Sequence, residues 1–220
     1  MTSHHGRTFG AFLFDMDGTV VNSLAVVNRV WAEWAVKHGV EVEWFLRTMH
    51  GMRAVENIRR LALPGIDIER EVEDVTIAEL ADVNGILAIE GALDFLSALP
   101  PERWAIVTSA TRELATRRLR AAGLPLPAVL VTADDVERGK PAPDCFLLAA
   151  ERLGVPIAEC LVFEDAPAGI EAAEAAGAAV MVVTAAHAHP FETAHPSIPD
   201  YALLLPSHDG EAGLRIADAA

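Results

Sequence analysis

Hydrophobic residues along this chain come in two rhythms. Short unbroken apolar runs at Ala11-Phe-Leu-Phe14, Trp104 to Val107, Ala128 to Val131, Leu161 to Phe163 and Val180 to Val183 have the length and composition of strands buried on both faces. Segments with helix punctuation lie between them. Thr111 caps a helix that Gly123 ends, Pro143 and Asp144 open one that Gly154 ends, and Pro167 opens one that Gly177 ends. This alternation predicts an α/β fold, a parallel sheet with covering helices.

Residues 20–91 follow a different pattern. Leu24, Val27, Trp31 and Trp34 recur at spacings of three and four, with Arg29, Glu33 and Lys37 on the opposite arc, and Gly39 closes the helix. More helix is expected around 54–63, broken at Pro64-Gly65, and again over 68–87, with no convincing strand. A helical block inserted after the first strand predicts two parts. Residues 1–19 and 92–220 form the α/β core, and residues 20–91 form a helical cap over the site. The Trp31/Trp34 stripe reads as the core of that cap.

Composition narrows the function classes. Of 220 residues, 52% are apolar and 22% charged, which suits a buried core and excludes disorder. Thirty-two acidic against seventeen basic residues give a formal net charge of −15. Nucleic acid and anionic membranes are therefore poor partners, and a bound phosphate needs a local cation. Cys145 and Cys160 form no C-x-x-C and no disulfide framework, as expected in a reducing cytoplasm. The N-terminal stretch lacks a signal-like apolar segment. The run from Ala172 to Ala186 is too short and too rich in Ala and Gly to span a membrane. A monomer acting on a small molecule is the expectation.

The chemistry concentrates at Phe12-Leu-Phe-Asp15-Met-Asp17-Gly-Thr19-Val, where a buried strand delivers two carboxylates into a turn loosened by Gly18. Ile106-Val-Thr108-Ser109 ends a strand in hydroxyls, and Leu161-Val-Phe163 runs into Glu164-Asp165. The loop after Val131 leads to Gly139-Lys140-Pro141. In a parallel sheet ligands bind beyond the carboxyl ends of the strands, so these distant segments converge on one edge. Asp15, Asp17, Glu164 and Asp165 make an oxygen-only donor set suited to Mg²⁺, and so many carboxylates cannot lie together ionised without a cation. Lys140 supplies a compact positive charge for a phosphate, in a chain whose only other lysine is Lys37. Ser109 and the backbone N–H that follows it can hold another phosphate oxygen. One carboxylate can then attack phosphorus while a second protonates the leaving oxygen.

In order, DMDGTV, TSA, GKPAPD and VFEDAPAGI resemble the four motifs of the haloacid dehalogenase superfamily of phosphohydrolases with a helical cap. The resemblance covers nearly the whole chain and implies a Rossmann-like core. It also implies Asp15 as nucleophile and Asp17 as general acid and base. Ser109, the Ala110 N–H and Lys140 would hold the phosphoryl group. Mg²⁺ would be held by Asp15, the Asp17 carbonyl and Asp165, with Glu164 close behind. The stretch Met49-His50-Gly51-Met52-Arg53, together with WAEWAVKHG and Glu90-Gly91, looks like the sugar- and polyol-phosphate phosphatases of that superfamily, of hexitol- or deoxyhexose-phosphate type. His50 and Arg53 are its candidate substrate contacts.

Other readings compete. A sugar-phosphate mutase resembling β-phosphoglucomutase would use the same core residues, and a non-catalytic binding protein could keep the scaffold. A dehalogenase has no use for Asp17, and a phosphonatase needs a cap lysine where only Lys37, on a polar arc, is available. His187, His189 and His195 invite a zinc site, but their Pro-rich, Cys-free segment reads as a solvated loop. Gly139-Lys140 lacks the upstream glycine of a P-loop.

Overall fold

The computed structural model describes residues 4, 6–186, 193–208 and 213–218. His187 and His189 lie outside them. Its centre is a six-stranded, all-parallel sheet in the order β5-β4-β1-β6-β7-β8. The strands are β1 (Ala11–Phe14), β4 (Trp104–Val107), β5 (Val129–Val131), β6 (Cys160–Glu164), β7 (Ala179–Val183) and β8 (Ser197–Ile198). The two-residue period of a strand sorts the apolar runs between two faces. Phe12, Phe14, Trp104, Ile106, Leu161, Phe163, Met181 and Val183 enter one cluster. Ala11, Leu13, Ala105, Val107, Cys160, Val162, Val180 and Val182 enter the other. The first face is largely aromatic, with Phe14 and Phe163 stacked at 4.7 Å. The second takes small residues of the helices α7 (Asp144–Leu153) and α8 (Pro167–Ala176), among them Ala149, Ala150, Ala172 and Ala173.

A third apolar cluster is separate from the sheet. It is built on α1 (Leu24–Lys37), α2 (Val42–Met49), α3 (Ala54–Arg59) and α4 (Ile68–Ala81), and contains Trp31, Trp34, Phe45, Met49, Ile58 and Val75. The helical stripe of Trp31 and Trp34 is thus packing, with the two rings at 5.6 Å. Further along, α5 (Ala92–Ser97) and α6 (Arg112–Ala121) complete the α-helices among the described residues, and Thr111 caps α6 as expected.

The structure corrects several expectations. Strands do occur between residues 20 and 91: β2 (Val21–Asn22) pairs antiparallel with β3 (Leu87–Ala88), so the chain leaves and re-enters the sheet layer through adjacent short strands. The helix expected over 68–87 stops at Ala81, where Arg29 holds the Asp82 carboxylate. The one expected over 54–63 stops at Arg59, shortly before Ala62 adopts a positive φ of 48°. Helix α2 was not foreseen, because its N-cap is Glu41, whose carboxylate accepts the N–H groups of Glu43 and Trp44. A C-terminal antiparallel pair, β9 (Leu204–His208) and β10 (Leu214–Asp218), is also new. No helix among the described residues is long and apolar enough to cross a membrane.

Candidate active site

The sheet order places β1 between β4 and β6, so the loops leaving these three strands meet at one edge. Asp15 follows β1, Thr108 and Ser109 follow β4, and Glu164 ends β6 with Asp165 next to it. Lys140 arrives on the loop between β5 and α7 and is 1% exposed. Its ammonium donates to Asp15 Oδ1 at 2.6 Å, Glu164 Oε1 at 2.8 Å and the Val107 carbonyl at 3.2 Å, which uses all three of its protons. Glu164 Oε2 accepts the backbone N–H groups of Asp165 and Ala166, at 2.7 and 2.8 Å. Asp165 accepts the Thr19 hydroxyl at 3.0 Å.

Burial dominates the electrostatics of these groups. It pushes the Asp15 carboxyl up to about 7, against the pull of Lys140 and with the help of the like charge on Glu164. Burial, then the charges of Glu164 and Asp15, hold Asp165 well above the ordinary carboxylate range. Burial opposes the charge on Lys140, but Asp15 and Glu164 hold its pKa above the usual lysine value. Oxygens of Asp15, Glu164 and Asp165 lie within 4.8 Å of one another. Three buried carboxyl groups lie around a single buried ammonium, so they cannot all be ionised together without a further cation. An all-oxygen set of this kind fits a hard divalent cation. Both Glu164 oxygens accept hydrogen bonds, as does one oxygen each of Asp15 and Asp165.

Asp17 goes elsewhere. Its carboxylate accepts the Ser23 hydroxyl on one oxygen and Arg118 Nη1, at 2.9 Å, on the other. It is not a member of the three-carboxylate cluster. Ser109 Oγ donates to the Gly51 carbonyl at 2.8 Å, and the Ala110 N–H donates to Thr108 Oγ1 at 3.1 Å. Arg53 is also engaged: it pairs with Glu56 and donates to the carbonyls of Val136 and Glu137 at 3.1 and 2.8 Å. His50 lines the same cavity as Asp15, Asp17, Ser109 and Arg53. That cavity measures about 220 Å³, below the range of about 300–1,000 Å³ usual for drug-sized ligands, and lies between the sheet edge and the helical block.

Two residues here escaped the sequence reading. Arg118 sits within an arginine-rich helix and Glu79 within an acidic one, so neither carries a local signal. Both are buried, and Arg118 Nη2 donates to Glu79 Oε1 at 3.0 Å. His195 pairs with Glu174 at 2.7 Å, and neither residue lines this cavity.

Gly18 holds the loop shape. Its φ is +95°, and a Cβ there would fall inside the Asp165 carboxylate. Gly18→Ala is therefore expected to cost about 1–2 kcal/mol from the backbone alone. It is also expected to displace Asp165 and to weaken the rise in melting temperature on adding Mg²⁺. A thermal-shift titration that matches the parent would show that Asp165 does not need this contact.

A family model for haloacid dehalogenase-like hydrolases matches residues 9–177. The chain is 44% identical to hexitol phosphatase A of Escherichia coli over 178 residues, covering 79% of this chain and 82% of that one. It is 36% identical to glycerol-1-phosphate phosphohydrolase 2 of Saccharomyces cerevisiae over 184 residues, covering 78% and 73%. The crystal structure of a hydrolase from Pseudomonas syringae superposes with a TM-score of 0.73 at 32% identity, covering 81% and 85%. The match begins just before β1 and runs to the end of α8, and so contains every loop that supplies the carboxylate and lysine cluster. By sequence and by architecture, the chain belongs to the haloacid dehalogenase-like hydrolase family.

Proposed function

We propose that the protein is a Mg²⁺-dependent phosphatase of small sugar or polyol phosphates, working through a phosphoryl group carried on Asp15. The observation that supports it best is the buried contact of Lys140 with Asp15 and Glu164. A chain of net charge −15 has placed one of its two lysines where an incoming phosphate dianion meets carboxylates. The substrate class follows the relatives, which are named for hexitol and glycerol phosphates.

In this reading an Asp15 oxygen attacks phosphorus, and the bond from phosphorus to the sugar oxygen breaks. Asp17 gives its proton to that oxygen, releasing the alcohol. Asp17 then takes a proton from water as the water attacks the aspartyl-phosphate, which frees phosphate and restores Asp15. Lys140 offsets charge on the transferring group. The Ser109 hydroxyl and Ala110 N–H turn from Gly51 and Thr108 to the phosphoryl oxygens. Bound Mg²⁺, held by Asp15 and Asp165 with Glu164 behind them, supplies charge neutralisation that lets an anionic nucleophile approach an anionic substrate.

Residues 20–91 act as the cap on a core of residues 1–19 and 92–220. Arg53 and Glu56 anchor the cap to the loop that carries Lys140, Glu56 accepting the Gly139 N–H at 3.3 Å. His50 and Arg53 both line the cavity and are the substrate contacts proposed for this segment.

The test is phosphate release from hexitol, hexose, glycerol, nucleotide and phosphonate substrates, with Mg²⁺ and with EDTA. Metal-dependent release from polyol or hexose phosphates, and little from nucleotides, is the expected outcome. A folded protein that releases phosphate from none of them would overturn the reading, and isomer formation from a hexose 1-phosphate would replace it with a mutase.

A further inference from the structure

We propose that Arg118 is a positioning residue that makes the placement of Asp17 depend on the helical block, through Glu79. The inference rests on the reading of Asp17 as the proton donor. Arg118 lies on α6, against the sheet, and is 3% exposed. Its guanidinium divides between two carboxylates from different parts of the molecule. Nη1 donates to Asp17 at 2.9 Å and Nη2 to Glu79 on α4 at 3.0 Å. Its Nε finds no acceptor among the described residues, so these two carboxylates alone set the position of the group.

Each end of this link is anchored. Glu79 is buried on α4, one of the four helices that build the separate apolar cluster, so Glu79 moves with that block. Asp17 accepts the Ser23 hydroxyl on its remaining oxygen, just ahead of α1. Both of its oxygens are thus held by groups outside its own loop.

The energetics give the link two discrete settings. A buried arginine that loses one of its carboxylates is left with uncompensated charge, a costly state. If α4 moves away from α6, the guanidinium recovers a partner by turning both nitrogens to Asp17, which must shift to accept the fork. Seating of α4 shares the guanidinium again and returns Asp17 to its present place. The proton donor is then in position only when the helical block is seated on the core, so protonation of the leaving group is conditional on closure.

The experiment compares Glu79→Gln, Arg118→Lys, Asp17→Asn and the Glu79→Gln/Asp17→Asn double variant. The substrates are a hexitol phosphate, whose alkoxide needs a proton, and p-nitrophenyl phosphate, whose phenolate does not. With Glu79→Gln, kcat/KM on the hexitol phosphate, which covers only the steps up to release of the alcohol, is expected to fall about tenfold, and kcat/KM on the aryl phosphate at least about fivefold less. Arg118→Lys, which cannot fork to two carboxylates, is expected to show the same bias more strongly. In the Asp17→Asn background, Glu79→Gln is expected to change neither ratio further.

Equal losses on both substrates with Glu79→Gln, tracking a lower melting temperature, would mark a purely structural contact and overturn the inference. A full Glu79→Gln effect persisting without Asp17 would overturn it as well. If Asp17→Asn itself lowers kcat/KM equally on both substrates, the proton-donor reading fails and the inference fails with it. If Asp17→Asn is selective while Glu79→Gln is not, the inference alone fails.

Discussion

Asp15→Asn is expected to lower phosphatase activity at least about 10⁴-fold, as removal of an attacking nucleophile does, while leaving the fold as stable or more so. The second half follows from the crowding of charge around this side chain. Burial and the neighbouring Glu164 push the Asp15 carboxyl up to about 7, far above its value in an unfolded chain. A carboxyl whose folded pKa is raised favours the fold at low pH, and that contribution is lost as pH rises through about 7. The amide stays neutral throughout. In EDTA, the melting temperature of Asp15→Asn should match the parent near pH 4. It should pull ahead between pH 4 and 7 and hold its lead above 7. Melts across that range, run beside phosphate-release assays, check both halves. A variant that keeps parental turnover would remove Asp15 from the nucleophile role. A melting temperature well below the parent at pH 8 would show that the carboxylate stabilises the metal-free site instead.

Lys140→Met is expected to be the most destabilising single change at the site. The side chains are similar in length, so little volume is lost, but Asp15, Glu164 and the Val107 carbonyl lose their shared donor inside the protein. Breaking a buried ion pair on one side costs about 3–5 kcal/mol, or roughly 10 °C in a chain of this size. The sign with pH is again set by the carboxylates. Without the ammonium they take up protons more readily, so the deficit should be largest near pH 8 and narrow towards pH 5. Lys140→Arg should not restore the parent, because a planar fork cannot occupy a pocket closed around an ammonium, with the Phe146 ring 5.1 Å away. Calorimetry of both variants with and without Mg²⁺ checks this. An unchanged melting temperature for Lys140→Met would mean that these contacts contribute nothing net.

Much of the core was legible because its signals are local. Each buried strand is a short apolar run, α6, α7 and α8 each end just before a glycine, and the parallel sense of the sheet follows from alternation. The convergence of Asp15, Ser109, Lys140 and Asp165 on one sheet edge needed only the rule that loops leaving parallel strands share an edge. What escaped was set by tertiary contact. Two-residue strands such as Val21–Asn22 have no periodicity to read, and Pro206 hides β9. Glu41 is an unusual N-cap, so α2 was missed. The Arg53 guanidinium could be placed only once the carbonyls of Val136 and Glu137 were seen to face it. Arg118 and Glu79 are charged residues on charged helices, and nothing in their neighbours announces that each is buried against the other.

The burial of Lys140 has a practical consequence for measuring movement. Of the two lysine side chains, Lys140 is 1% exposed and locked among carboxylates, while Lys37 is 55% exposed at the end of α1. An amine-reactive dye will therefore find a single lysine, and it stands on the helical block rather than on the sheet. Paired with a second probe on the α/β layer, that fluorophore would turn the proposed closure into an optical signal, read without altering Asp15, Asp17 or Lys140.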